Sequence, residues 1–446
     1  MDPAAAEQWV AGLDLMGMRF GLERMHALMR ELGAPCAGLP AVHVVGTNGK
    51  TSVTRMTAAI LAASGLRTGA YTSPHLLGWR ERIALDGVPI PPEQFAAAAT
   101  RVHDAQNAVP GGRITQFEAL TAIALVAFDA AGADAIVVEA GLGGRLDATN
   151  VIGADVVALA AVDLDHTDLL GEDIASIAGE KLGVAPEGFA GLVVGEQVPA
   201  SAPGVGAAMA ARGMSGWRVG QEIAVEAGNR DAMTIRTPNG ALRVDADMPA
   251  RWQRANLALA VGAAERTLGR GVDLPALMQA LSAIENPGRL QVVPGAPVVV
   301  LDGAHNPAGA RALADALPLL LGDVRPVAVM GMMADKDAPG ILDPLAPLID
   351  RVCVTRASTG RAVRPELLAG MLRDRGVDAE VIPGPARALQ RARALAGPEG
   401  AVLVAGSLHL LADLAPVALG QSGTLAAAPG PDGPLADVWR LDDFRK

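Results

Sequence analysis

Val42-His43-Val44-Val45-Gly46-Thr47-Asn48-Gly49-Lys50-Thr51-Ser52 sets a valine-rich run against a glycine turn, a lysine and two hydroxyl residues. It reads as a strand, a tight loop and the start of a helix. In that geometry the N–H groups of the loop and of the helix N-terminus cradle phosphate oxygens, Lys50 neutralises terminal phosphate charge, and a following hydroxyl can hold Mg²⁺. Val44 stands where the strict Walker pattern has its first glycine. The strand–loop–helix order nevertheless points to a nucleoside triphosphate.

Further short apolar runs end abruptly in Gly, Asp or His: Ala135 to Val138, Val156 to Val162, Val298 to Leu301, Val327 to Met330, Arg351 to Thr355 and Ala401 to Ala405. With Ala41 to Val45 they predict buried parallel strands. Helically spaced stretches such as Val53 to Ser64 and Phe117 to Ala130 lie between them, so the pattern predicts a doubly wound α/β sheet. The segment 193–248 carries short alternating pieces broken by Gly, Asn and Pro, and predicts a small antiparallel subdomain. Helices over Arg251 to Leu268 and Leu274 to Ala283 lead to Asn286-Pro287-Gly288-Arg289, a turn-like hinge. A second α/β series follows. The expected domains are 1–286, which carries the triphosphate loop, and 287–446, with a loosely packed tail over 422–446.

The 446 residues exceed one ordinary core, and 50% are hydrophobic but only 3% aromatic, which suits helices packed on parallel strands. A net charge of -11 argues against nucleic acid or an anionic membrane as the main partner. Cys36 and Cys353 are the only cysteines, too few for a disulfide framework. With no signal-peptide pattern and no apolar run of spanning length, the chain is expected in the cytoplasm.

Two strands run into candidate metal ligands, Ile136-Val137-Val138 into Glu139 and Val156 to Val162 into Asp163-Leu164-Asp165-His166. The C-terminal strand ends of an open parallel sheet share one edge, so Lys50, Glu139 and His166 can converge there. Carboxylate, imidazole and hydroxyl together suit Mg²⁺ or Mn²⁺ better than zinc. Taken alone, His166 reads as a cap on the following helix.

These residues resemble the folate branch of the Mur ligase superfamily from about His43 to Ser407. The resemblance rests on Gly46 to Ser52, Tyr71-Thr72-Ser73-Pro74-His75-Leu76, Arg80-Glu81-Arg82-Ile83 and Thr115-Gln116-Phe117-Glu118. It continues through Glu139 to Asn150, Asp165-His166, Glu180-Lys181, Pro287-Gly288-Arg289-Leu290, Asp302 to Pro307 and Asp335-Lys336-Asp337. Thr51 departs from that branch, which usually carries Gly there, whereas the cell-wall branch carries Thr. The runs Leu142 to Asn150 and Tyr71 to His75 look like the folate branch.

The resemblance implies a P-loop Mur-ligase-like ATP-binding domain followed by a smaller Rossmann-like domain that closes over it. Thr47, Asn48, Gly49, Lys50, Thr51 and Ser52 would hold ATP, Asn256 would approach the nucleotide, and Arg289 and Asp302 would complete the site. Ser52, Ser73, Glu139 and His166 would lie at the metal, with two Mg²⁺ ions and a carbamylated Lys181 as a further ligand. Ser73, His75, Thr115, Gln116, Phe117, Glu118, Gly144, Arg145 and Leu146 would line the pterin site. Lys50, Lys181 and His305 are the candidate catalytic residues, with His305 in the closing wall. The implied reaction is ATP-dependent addition of L-glutamate to dihydropteroate or a reduced folate through an acyl phosphate, by a monomer. The competing readings are a superfamily ligase for another carboxylate and a regulatory P-loop ATPase.

Overall fold

The computed structural model describes residues 1–13, 21–109, 113–227, 232–246, 248 and 250–420, so the tail expected over 422–446 lies outside the described residues. The chain divides into two compact units, Met1–Glu285 and Asn286–Lys446.

In the first unit the fully buried strand Ala41–Val45 lies inside an eight-stranded sheet. The order is Val88–Pro89, Ile83–Leu85, Thr68–Tyr71, Ala135–Glu139, Ala41–Val45, Val156–Leu159, Leu192–Val194, Gly216–Arg218. Pairing is parallel from Thr68–Tyr71 onwards and antiparallel for the first two strands. Successive side chains of a strand point to opposite faces. Ala135 and Val137 therefore meet the side that holds Val53, Met56 and Leu257, while Ile136 and Val138 meet the side that holds Leu120 and Ile123. The helices Lys50–Ala63 and Arg251–Leu268 cover one face and Gln116–Ala130 covers the other. Two dry faces explain why the strands read as continuous apolar runs rather than as alternating ones.

The antiparallel piece is narrower than 193–248. It comprises Ala224–Ala227, Ala232–Thr237 and Gly240–Asp245, while Leu192–Val194 and Gly216–Arg218 extend the main sheet in parallel. The strand expected over 156–162 ends at Leu159. Beyond it the Ala161 carbonyl accepts the N–H groups of Thr47 and Asn48, so the phosphate loop takes over that stretch of backbone.

The second unit carries a six-stranded sheet in the order Gln291–Val293, Val298–Leu301, Ala401–Ala405, Val327–Met330, Arg351–Val354, Asp378–Val381. All neighbours are parallel except the first pair. Helices such as Pro307–Leu321 and Pro385–Ala396 connect successive strands and Leu408–Ala418 follows the last one, which gives the expected Rossmann-like α/β layering.

Candidate active site

Register aligns Val44 with Glu139 and Val45 with Leu159, so the segments after these strands emerge side by side. Gly49 caps the helix Lys50–Ala63 at φ 88°, a left-handed conformation that favours glycine. A Cβ on Gly49 would lie 2.7 Å from Asn256 Oδ1, so the Asn256 side chain sits directly on the loop. Lys50 Nζ donates to the carbonyls of Gly46 (3.2 Å) and Thr47 (3.3 Å), and Thr47 Oγ1 exchanges hydrogen bonds with the backbone of Asp163. Ser52 is buried in the first turn of the helix.

Glu139 is 2% exposed at the end of its strand. Its Oε1 accepts from Thr51 Oγ1 and its Oε2 from the Ser73 N–H, each at 3.0 Å. A buried carboxylate needs such donors to stay ionised away from water. His166 takes the N-cap position of Thr167–Leu170 at φ 51°, with no side-chain cap bond, and its Nε2 lies 3.8 Å from Asp165 Oδ1. The capping position expected for it is therefore filled by its backbone alone.

Lys181 is 3% exposed in the last turn of Ile174–Leu182. Burial, reinforced by the positive charge of Lys50, lowers its pKa to about 7, against the pull of Asp165, Asp147 and Glu180. The segment Leu142 to Asn150 wraps this helix end: the Arg145 N–H donates to the Glu180 carbonyl at 3.0 Å, and Arg145 Nε donates to Glu180 Oε2 at 3.0 Å. A Cβ on Gly144 would fall 2.5 Å from the Lys181 carbonyl oxygen, so only glycine permits this approach. Leu146 is half-buried beside it.

Sequence reasoning did not single out the network beneath this segment. Asp147 is buried and accepts from the N–H groups of Leu142 (2.8 Å) and Thr149 (3.0 Å) and from the Thr149 hydroxyl, and Thr149 Oγ1 is 2.8 Å from His43 Nε2. With the hydroxyl hydrogen directed to Asp147, His43 Nε2 carries the proton it donates, and burial drops the imidazole pKa to about 3. His43 is thus a neutral core residue.

The other expected substrate residues divide in two groups. His75 Nδ1 accepts from Arg82 Nε at 2.9 Å, and its ring meets Trp79 edge-on at 4.6 Å. Phe117 is half-buried, with its ring over Gly141 and 6.1 Å from the Tyr71 ring. Thr115 and Glu118 instead form the capping box of Gln116–Ala130. Glu118 also binds Arg24 at 2.8 Å, and Gln116 Nε2 donates to the Val10 carbonyl at 2.9 Å. The polar groups of these three side chains are therefore engaged within the fold, and Phe117 is the member of that motif left to line a site.

In the second unit Asp302, buried at the end of Val298–Leu301, accepts from Leu290 N (2.7 Å) and Ala304 N (2.8 Å). Burial raises its pKa and Arg289 opposes the rise. His305 Nδ1 is 2.7 Å from the Gly303 carbonyl, which fixes the hydrogen on Nδ1. Asn306 caps Pro307–Leu321. Arg289, Asp302 and His305 thus gather at one strand end of their own unit.

The donor set around the phosphate loop is rich in hard oxygen: Glu139, Thr51, Ser52 and the Ser73 segment. Among the described residues no three His, Cys, Asp or Glu side chains form a ready cage. Such a site fits Mg²⁺, which keeps waters and takes further ligands from substrate phosphates.

The Mur ligase, glutamate ligase domain family matches residues 288–408. The dihydrofolate synthase/folylpolyglutamate synthase of Mycobacterium tuberculosis is 40% identical over 373 residues, 78% of this chain and 76% of that protein. A probable bifunctional folylpolyglutamate synthase/dihydropteroate synthase of Haloferax volcanii is 36% identical over 404 residues, 88% of this chain, which spans only 48% of that longer protein. The structure of Mycobacterium tuberculosis folylpolyglutamate synthase complexed with ADP superimposes with a TM-score of 0.84 at 34% identity, covering 95% of this chain and 100% of that one. With that coverage and this strand-edge geometry, the chain belongs to the dihydrofolate synthase/folylpolyglutamate synthase family of the Mur ligase superfamily.

Proposed function

We propose that this chain joins L-glutamate to dihydropteroate, to a reduced folate or to both, and that the site around Lys50 and Glu139 activates the carboxylate. The observation that carries the reading is Glu139: one buried carboxylate hydrogen-bonds both the phosphate-loop helix, through Thr51, and the Ser73 segment. That link supports a reading in which the triphosphate and the carboxylate to be activated meet at one edge.

A free carboxylate resists attack because oxide is a poor leaving group. A carboxylate oxygen therefore takes the γ-phosphoryl of ATP and ADP departs; the glutamate amine then attacks the acyl carbon, loses a proton and expels phosphate. Lys50 and the loop N–H groups stabilise charge on the transferring phosphoryl. Thr47, Asn48, Gly49, Thr51 and Ser52 hold the phosphates, and Asn256 borders the nucleotide. Glu139, His166, Ser52 and Ser73 would hold Mg²⁺, which when bound spreads the charge of the phosphates. Lys181, its pKa lowered by burial to about 7, would take up CO₂ as a carbamate and offer anionic oxygen to a second ion. His75, Phe117, Gly144, Arg145 and Leu146 line the pterin-bearing substrate.

The reading assigns the reaction to the cytoplasm and to a monomer; among the described residues no helix is long and apolar enough to cross a membrane. The test is mass spectrometry of the products formed with ATP, Mg²⁺, glutamate and either dihydropteroate or a reduced folate. A mass gain of one glutamyl residue, with ADP released, is expected. Ligation of glutamate to neither acceptor would shift the reading to a non-folate carboxylate, and ATP hydrolysis indifferent to any acceptor would end it.

A further inference from the structure

Thr51 and Arg55 stand four residues apart on the helix Lys50–Ala63 and so share one face. Each reaches a carboxylate, and each carboxylate reaches the same loop. Thr51 Oγ1 donates to Glu139 Oε1, and Glu139 Oε2 accepts the Ser73 N–H, both at 3.0 Å. Arg55 Nη2 lies 3.5 Å from Glu81 Oε1, while Glu81 Oε2 accepts the N–H groups of Leu76 (2.9 Å) and Leu77 (2.8 Å). Arg55 Nη1 also donates to the Glu285 carbonyl at 3.1 Å, which fixes the direction of its guanidinium.

The loop from Ser73 to Leu77 thus hangs from the phosphate-loop helix by two carboxylate bridges, one at each end. Bonds from ionised carboxylates to backbone N–H are charge-assisted and directional, so a shift of either carboxylate moves the loop. The Thr51 hydroxyl hydrogen is committed to Glu139, which leaves its backbone N–H for phosphate. Arg55 lies one helical turn further from the loop glycines than Thr51 does.

We propose that Thr51 and Arg55 are positioning residues for the pterin-side loop: through Glu139 and Glu81 they dock Ser73 to Leu77 on the phosphate-loop helix and thereby couple occupancy of the nucleotide site to that of the carboxylate substrate. The inference rests on the ligase reading above. Phosphate bound at the helix N-terminus settles the helix, and the two bridges pass that restraint to the loop carrying His75. Coupling of this kind is reciprocal: whatever nucleotide does to pterin affinity, pterin does to nucleotide affinity.

The experiment is isothermal titration of the full chain with dihydropteroate, with and without AMPPCP and Mg²⁺, alongside steady-state kinetics and melting temperature. In the wild type, nucleotide should tighten dihydropteroate binding by about fivefold or more. Arg55→Met should reduce that enhancement to within twofold and raise KM for dihydropteroate by about fivefold, with kcat changed less than twofold. Glu81→Gln should behave alike, and the double variant should be no worse than either single one, because both break one bridge. Thr51→Val should lose the enhancement and Thr51→Ser should restore it. Should Arg55→Met fail to fold, the Thr51→Val and Thr51→Ser pair decides alone. A merely structural role would lower the melting temperature and the active fraction without moving KM. Pterin binding by the wild type with equal enhancement in the variants, or with none anywhere, overturns the positioning role alone; a wild type that binds no pterin overturns the ligase reading beneath it.

Discussion

Replacing Gly144 by alanine tests whether the segment Leu142 to Asn150 sets the position of Lys181. The new methyl carbon would lie 2.5 Å from the Lys181 carbonyl oxygen, 2.9 Å from its Cα and 3.0 Å from the Glu180 carbonyl oxygen. All three neighbours are backbone, so no side chain can swing aside. Ordinary van der Waals contact begins at 3.4 Å, so the helix end must retreat by about 0.9 Å. Overpacking of this size costs about 1–3 kcal/mol of stability. The catalytic cost is larger in proportion, because a displacement near 1 Å in a supporting element can lower turnover by about 100-fold. Gly179→Ala is the control: it lies on the same helix, nothing stands within 4 Å of its added Cβ, and it should stabilise the fold by about 0.5–1 kcal/mol with turnover intact. The assay is glutamate incorporation under saturating substrates, with melting temperatures for both variants. Near-native turnover in a folded Gly144→Ala chain would refute the idea that this backbone contact places Lys181.

Lys50→Ala should abolish ligation, a loss of several kcal/mol (about 3 or more) in transition-state free energy, while the chain still melts cooperatively. Glu139→Gln and His166→Ala should raise the Mg²⁺ concentration needed for half-maximal activity, read from metal titrations of initial rate; unchanged curves would return both residues to structural roles. Lys181→Ala should be inactive and partly rescued by acetate. An unmodified Lys181 has a folded-state pKa near 7 against 10.5 when free, so the unfolded chain binds the extra proton between those values and stability should rise with pH across that window. Denaturant titrations at pH 6 and pH 9 would show that rise in a CO₂-depleted sample, and Lys181→Met should flatten it.

The strands legible in the sequence were those buried on both faces. Val298–Leu301, Val327–Met330 and Ala401–Ala405 appear with their expected bounds because each is an unbroken apolar run. Thr68–Tyr71 gave no such signal although all four residues are buried. Its Gly69 makes room for the Phe128 ring, which would lie 2.6 Å from an added Cβ, so the strand trades an apolar side chain for a close approach. Asp378–Val381 alternates between exposed and buried positions at the sheet edge, and Leu192–Val194 is too short for any period to show. A three-residue run flanked by Gly reads equally well as part of an antiparallel patch, which is where it was expected.

At the site, the residues that end strands were legible and the residues that hold them were not. Lys50 and Glu139 come at the ends of apolar runs that lie side by side in the sheet, so sheet topology alone brings them to one edge, whereas His166 comes well after Leu159, where its strand ends. Asp147 sits in a loop whose sequence shows only a carboxylate among small residues, and its role depends on Thr149 and on His43, more than a hundred residues away. The motif Thr115 to Glu118 shows the opposite case. Its Thr-x-x-Glu spacing is a helix cap by local rule, and the fold uses it as one, with Arg24 on the same carboxylate. A residue that serves a neighbouring element leaves a local signature, whereas one that braces a distant element leaves none until the chain is folded. That is why Lys181 needs the three-dimensional argument most: a Glu-Lys pair on a short helix looks like solvated surface, and only burial beside Lys50, under the backbone of Gly144, brings the lysine pKa down to about 7.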